Sequence, residues 1–101
     1  MTASGRAAPD VVATNVQCGQ TLTATVTMNG DLFCDTIGAA LYIAKNSITL
    51  NLNGHEIGST LPDGYGVYVS GASDVIENGL ITGFGYGVEL VGNTDTVTKI
   101  R

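Results

Sequence analysis

The segment GYGVYVSGASDVIENG, residues 64–79, is followed by GYGVELVGNTDTVTK, residues 85–99. Gly64, Tyr65, Gly66 and Val67 return as Gly85, Tyr86, Gly87 and Val88, Gly71 as Gly92, and Asp74 as Asp95. A phrase repeated at a fixed interval marks a chain built from stacked units rather than one layered core. Within each copy apolar residues alternate, Val67 with Val69 and Val88 with Leu90, which is the pattern of a half-buried strand. A turn containing Gly follows, then a second short strand. LYIAKNSITLNLNG, residues 41–54, carries the same plan, with Leu41 and Ile43 in the alternating positions.

The dipeptide Asn-Gly recurs at Asn29-Gly30, Asn53-Gly54 and Asn78-Gly79, at intervals of 24 and 25 residues. Together with the repeated GYGV, this sets a period of about 21 to 25 residues with small insertions. No segment shows a sustained helical period, and nothing is long enough for a crossover helix. The expected fold is therefore all-β: a solenoid of about three to four coils, with strands of successive coils stacked in parallel about 4.8 Å apart. An antiparallel sandwich is the rival, because Asn-Gly is also a hairpin signal. It leaves the near-constant interval unexplained.

Stacking predicts inward columns of Leu41, Val67 and Val88, of Ile43, Val69 and Leu90, of Leu52, Ile76 and Val97, and of Ile57 and Ile81. Each buried aliphatic side chain contributes roughly 1.5–3 kcal/mol before entropy is charged against it. Asn29, Asn53 and Asn78 are expected to form a side-chain ladder along the axis, with each following Gly at positive φ. The alternative is three independent turn residues.

The chain has 101 residues, one domain's worth. Charged residues are only 13%, and 14 Gly accompany abundant Thr and Val, as in a protein of short strands and tight turns. A net charge of −5 with four basic residues gives no electrostatic footprint for nucleic acid and no basic segment for an anionic membrane. No apolar run approaches the length of a membrane span. Residues 1–10, MTASGRAAPD, lack the apolar core of a signal peptide and read as a flexible leader or an expression remnant.

Cys18 and Cys34 are either buried thiols or a disulfide. The disulfide is preferred, as a clip near the amino-terminal end of an elongated fold. It would contribute about 3 kcal/mol and imply an oxidising compartment, hence an extracellular, cell-surface or periplasmic location. Two cysteines and the single histidine, His55, cannot complete a zinc site.

CGQTLTATVTMNGDLFC (18–34), NSITLNLNGHEIGS (46–59) and DVIENGLITGFGYGVEL (74–90) resemble the right-handed parallel β-helix repeat family, and more narrowly its NosD-like, CASH-type carbohydrate-binding and sugar-hydrolase domains. The resemblance covers residues 18–100. It implies a right-handed coil with an amino-terminal cap, often a polysaccharide ligand, and a cysteine pair that brackets the first coil. The expected organisation is a leader (1–10), a cap and first coil (11–34) and further coils (35–101) in a single domain. Enzymes of this architecture usually have many more coils. DTVTKIR, at the end of the chain, carries no recognisable cap, so a continuation in a longer protein or a second copy is expected to cover it.

The sequence offers little catalytic chemistry. Asn93-Thr94-Asp95 is similar to one polygalacturonase motif, but the paired aspartates and Gly-His-Gly of an inverting site are missing. Asp74 and Asp95, one above the other, are weak candidates for calcium with turn carbonyls, and otherwise solvated turn residues. No other cofactor is expected. His55 with Glu56 has no supporting constellation for acid–base work, and no Ser, Cys or Lys has a partner for nucleophilic work. The glycines lack phosphate-loop spacing.

The tyrosines offer more. Tyr42 and Tyr68 take one outward position, which Glu89 takes in the next coil, and Tyr65 corresponds to Tyr86. Such columns can stack sugar rings, form the centre of an interface, or stack only on one another. The chain therefore reads as a non-catalytic structural or interaction module that forms homo-oligomers or docks on a partner through flat sheet faces and tyrosines. The alternative is a carbohydrate-binding or polysaccharide-active domain of a larger extracellular β-helix enzyme.

Overall fold

The computed structural model describes residues 15–35 and 37–101. The expected leader and residues 11–14 of the expected cap lie outside the described residues. Those described form ten strands and no helix: β1 (Gln20–Leu22), β2 (Val26–Thr27), β3 (Leu32–Phe33), β4 (Ala39–Ile43), β5 (Thr49–Asn51), β6 (Glu56–Gly58), β7 (Tyr65–Val69), β8 (Val75–Thr82), β9 (Tyr86–Leu90) and β10 (Thr96–Ile100).

Every pairing between these strands is parallel, and every partner lies about one repeat away in sequence. The chain is a β-solenoid with three strips of strands. One strip is β1-β4-β7-β9. The second runs from β2 through β5 and the first half of β8 to β10. The third runs from β3 through β6 to the second half of β8. β8 turns the corner without a break, so one continuous strand serves two faces.

Val67 and Val88 are direct partners, as are Leu41 and Val67. Ile43, Val69 and Leu90 form the next column, and Ile57 pairs with Ile81. The buried core contains Leu22, Leu41, Ile43, Leu50, Leu52, Ile57, Val67, Val69 and Ile76. Burial thins toward the last coil, where Leu90 and Val97 are about two-fifths exposed.

One expected column is corrected. Ile76 and Val97 stack on Leu50, not on Leu52. Four residues of the second coil, 52–55, lie between the pairs Asn51–Glu77 and Glu56–Leu80, where the third coil uses only 78 and 79. Leu52 is still fully buried, but it fills this corner and lies against Gly79. A Cβ on Gly79 would stand 2.3 Å from the Leu52 Cβ, so the close approach requires glycine there.

The corners hold backbone that non-glycine residues rarely adopt. Ser47, Ser73 and Thr94 have φ of 61°, 59° and 57° at equivalent points of three coils, and Asn78 and Lys99 have φ of 64° and 55° at another corner. In the second coil Asn53 and Gly54 are both left-handed (φ 54° and 81°). In the third, Asn78 alone takes that conformation and Gly79 serves by lacking a side chain.

The Cys18–Cys34 disulfide is present, with Cα atoms 5.6 Å apart. It joins the residues just before β1 and just after β3, closing the first coil upon itself.

Candidate functional site

The first strip presents the tyrosines. Tyr42 pairs with Tyr68 and Tyr68 with Glu89, while Tyr65 pairs with Tyr86. The two expected columns are joined into one cluster. Ring centroids are 6.1 Å apart for Tyr42–Tyr68, 5.3 Å for the edge-on Tyr65–Tyr68 pair and 5.5 Å for the stacked Tyr65–Tyr86 pair. Tyr86 is 61% exposed and ends the cluster on β9; Leu90, the last residue of that strand, and Val91, just beyond it, are also exposed in this last coil. The Tyr42 Oη accepts from the Ala39 N–H at 3.2 Å, which fixes that ring to its own strand.

The three expected ladder asparagines do not bond as one amide column. Asn53 Nδ2 donates to the Met28 carbonyl at 3.3 Å, and Asn78 Nδ2 donates to Asn51 Oδ1 at 3.3 Å. Asn29 is exposed. The longer second-coil corner takes Asn53 out of line with Asn78, so each amide reaches a different acceptor one coil below.

Asp74 and Asp95 do lie one above the other. The Asp74 N–H donates to Asp95 Oδ1 at 2.8 Å, and Asp74 Oδ1 accepts from the Ile48 N–H at 2.7 Å. Asp74 is almost wholly buried, and the Oδ2 atoms of both residues are buried without a partner. No group of three or more His, Cys, Asp or Glu side chains converges for a metal ion among the described residues. The pair thus supplies two carboxylates and a backbone-capping role.

His55 Nδ1 lies 3.2 Å from Asp31 Oδ1, both about one-third exposed, and the same oxygen accepts from the Glu56 N–H at 2.9 Å. His55 therefore belongs to a corner clasp between the first two coils.

The third strip holds a feature that the sequence reading passed over. A shallow groove of about 330 Å³ is lined by Phe33, Asp35, Glu56, Ser59, Thr60 and Thr82. Its signal is the run Asp31-Leu32-Phe33-Cys34-Asp35, in which Leu32 and Cys34 are buried while Asp31, Phe33 and Asp35 face outward. Phe33 pairs with Gly58, and a Cβ there would stand 2.8 Å from the ring, so the absent side chain lets the phenyl lie down on the next coil. Asp35 accepts from the Thr60 N–H and the Thr60 hydroxyl, each at 2.7 Å, and from the Ser59 hydroxyl at 3.2 Å. These bonds, the Thr60 backbone bond first, hold the Asp35 carboxyl below the ordinary value of 3.8. The Thr82 hydroxyl donates to Glu56 Oε2 at 2.6 Å.

Comparison of the chain with protein-family models, with curated proteins and with solved structures finds no match. No helix among the described residues is long and apolar enough to cross a membrane.

Proposed function

We propose that this protein is a non-catalytic structural module that self-associates through its tyrosine-bearing sheet. The unbroken ring contact from Tyr42 through Tyr68 and Tyr65 to Tyr86 carries the reading. Tyr brings large contact area at low entropic cost, and it is enriched at the centres of interfaces. Strands held in parallel register on a stiff solenoid keep these rings in place before any partner arrives, which lowers the ordering cost of association. The disulfide supports an oxidising compartment, and with it an extracellular, cell-surface or periplasmic setting.

Light scattering coupled to size exclusion tests this reading. The expected result is a discrete oligomer that dissociates on dilution, and a monomer for Tyr68→Ala/Tyr86→Ala with an unchanged circular dichroism spectrum. A native chain that stays monomeric at high concentration overturns it.

Polysaccharide binding is the second reading, suggested by the family resemblance. The observation in its favour is the stacked Tyr65–Tyr86 pair, whose outer ring is 61% exposed and offers a face for a sugar ring. A glycan array probed with the native chain and with Tyr86→Ala separates the two: sugar retention lost in the variant supports binding.

A further inference from the structure

The recurring Asn-Gly dipeptide carries a chemistry of its own, apart from the tyrosine face. Where Gly follows Asn, the Gly nitrogen can attack the Asn side-chain amide, because no Cβ shields the approach. Asn29-Gly30, Asn53-Gly54 and Asn78-Gly79 share this local chemistry, so only their settings in the fold distinguish them.

Two of the three are held fast. At Asn53, the Gly54 N–H donates to the Asn78 carbonyl at 2.7 Å, the Asn53 N–H to Asn51 Oδ1 at 2.8 Å and Asn53 Nδ2 to the Met28 carbonyl at 3.3 Å. Asn78 and Gly79 lie inside β8, where Gly79 pairs with Ile100 and lies against Leu52, and Asn78 Nδ2 donates to Asn51 Oδ1 at 3.3 Å. Both asparagines are also fixed in left-handed backbone, at φ 54° and 64°.

Asn29-Gly30 differs. Met28 is tied to the second coil by its N–H on the Asn51 carbonyl at 2.9 Å, and Leu32 by its pairing with Ile57. Between these anchors, Asn29 and Gly30 lie outside every strand and form no hydrogen bond among the described residues. Asn29 is exposed, but so is Asn53, so access to water does not separate the sites. Gly30 is buried, yet its nitrogen is engaged with no acceptor among the described residues, whereas that of Gly54 is.

We propose that Asn29 is a modification site, converting by intramolecular attack to aspartate and isoaspartate in the folded protein. The Gly30 nitrogen bonds to Asn29 Cγ and gives its proton to solvent, the side-chain amide leaves as ammonia, and a cyclic succinimide results. Water then opens the ring at either carbonyl, giving aspartate or isoaspartate. Either product sets a new carboxylate two residues from Asp31, whose Oδ1 already lies 3.2 Å from His55 Nδ1 and accepts from the Glu56 N–H. The isoaspartyl form also lengthens the backbone of this corner, inside the loop closed by the Cys18–Cys34 disulfide.

The test is peptide mapping of the full, disulfide-intact chain aged in mildly alkaline buffer, with mass spectrometry that separates aspartate from isoaspartate, and a parallel sample aged in urea. In the native chain Asn29 should react roughly tenfold faster than Asn53 or Asn78, since each of those must first open its hydrogen bonds. In urea the three rates should draw together to within about twofold, because the fold no longer distinguishes them. Asn29→Gln should remove the early acidic species from ion-exchange profiles of the native chain. Equal rates in the native chain, a lead for Asn53 or Asn78, or an Asn29 that stays intact while the urea sample reacts would each overturn the proposal. So would the same lead for Asn29 in urea, since local sequence rather than the fold would then set the order.

Discussion

Asp74 and Asp95 are linked through backbone rather than through their charges: the Asp74 N–H donates to Asp95 Oδ1 at 2.8 Å. One coil lower, Asp74 does the same for Ile48 at 2.7 Å. Each aspartate thus receives the N–H left over just after the left-handed corner residue one coil away, Ser47 for Asp74 and Ser73 for Asp95. A buried N–H without an acceptor costs about 1–3 kcal/mol, which is reason enough for a carboxyl group at this point of the coil.

Asp74→Ala should therefore destabilise the protein by about 1–3 kcal/mol. Asp74→Asn should cost far less, because it keeps the acceptor for Ile48 and replaces the orphaned Oδ2 with a donor. Urea midpoints of the two variants check this. Equal losses would show that the charge, not the acceptor, is what the corner uses.

The disulfide should be worth about 3 kcal/mol on the chain-entropy model, since it closes a loop with a separation of 16 residues. Cys18→Ser/Cys34→Ser should lower the unfolding midpoint accordingly. Hydrogen exchange should place the loss in β1–β3, leaving β7–β9 protected. Uniform loss of protection would mean that the whole stack unfolds as one unit from its first coil.

Much of this architecture was legible because a solenoid writes its geometry into its period. Val67 and Val88 sit at the same step of a repeated phrase, so their pairing follows from counting, and so does the outward alignment of Tyr42, Tyr68 and Glu89. Counting back from Asn53-Gly54 put Leu52 where Leu50 belongs, because corner length varies between coils and the strand pattern does not record it. The Phe33 groove escaped for another reason. Columns are sought as like beneath like, whereas here a large ring rests on a residue with no side chain.

Acid should act on this protein partly through Asp35. Its folded-state pKa lies below the ordinary 3.8, chiefly because of the Thr60 backbone N–H and then the Thr60 hydroxyl. A depressed carboxyl contributes stability that is fully present above the unfolded value and is lost as pH falls through the lower, folded one. Native stability should therefore fall from about pH 4 downward, and Asp35→Asn should flatten that part of the curve. Urea midpoints measured between about pH 5 and pH 2 provide the check. A parallel curve for the variant would remove Asp35 from the account.

Lys99 occupies, in the last coil, the corner that Asn78 occupies one coil below: Thr98 pairs with Glu77 and Ile100 with Gly79 on either side. Both residues are left-handed, at φ 55° and 64°. Asn tolerates this region, but for Lys the Cβ crowds the backbone at a cost of about 1–2 kcal/mol. The Lys99 side chain is exposed, so little is lost by removing it. Lys99→Asn should stabilise the protein by about 0.5–1 kcal/mol. The reverse change, Asn78→Lys, should destabilise it by more, since it also removes the bond to Asn51 Oδ1. Denaturant midpoints at unchanged slope measure both. A Lys99→Asn variant less stable than the native chain would mean that the lysine side chain, not backbone strain, governs that corner.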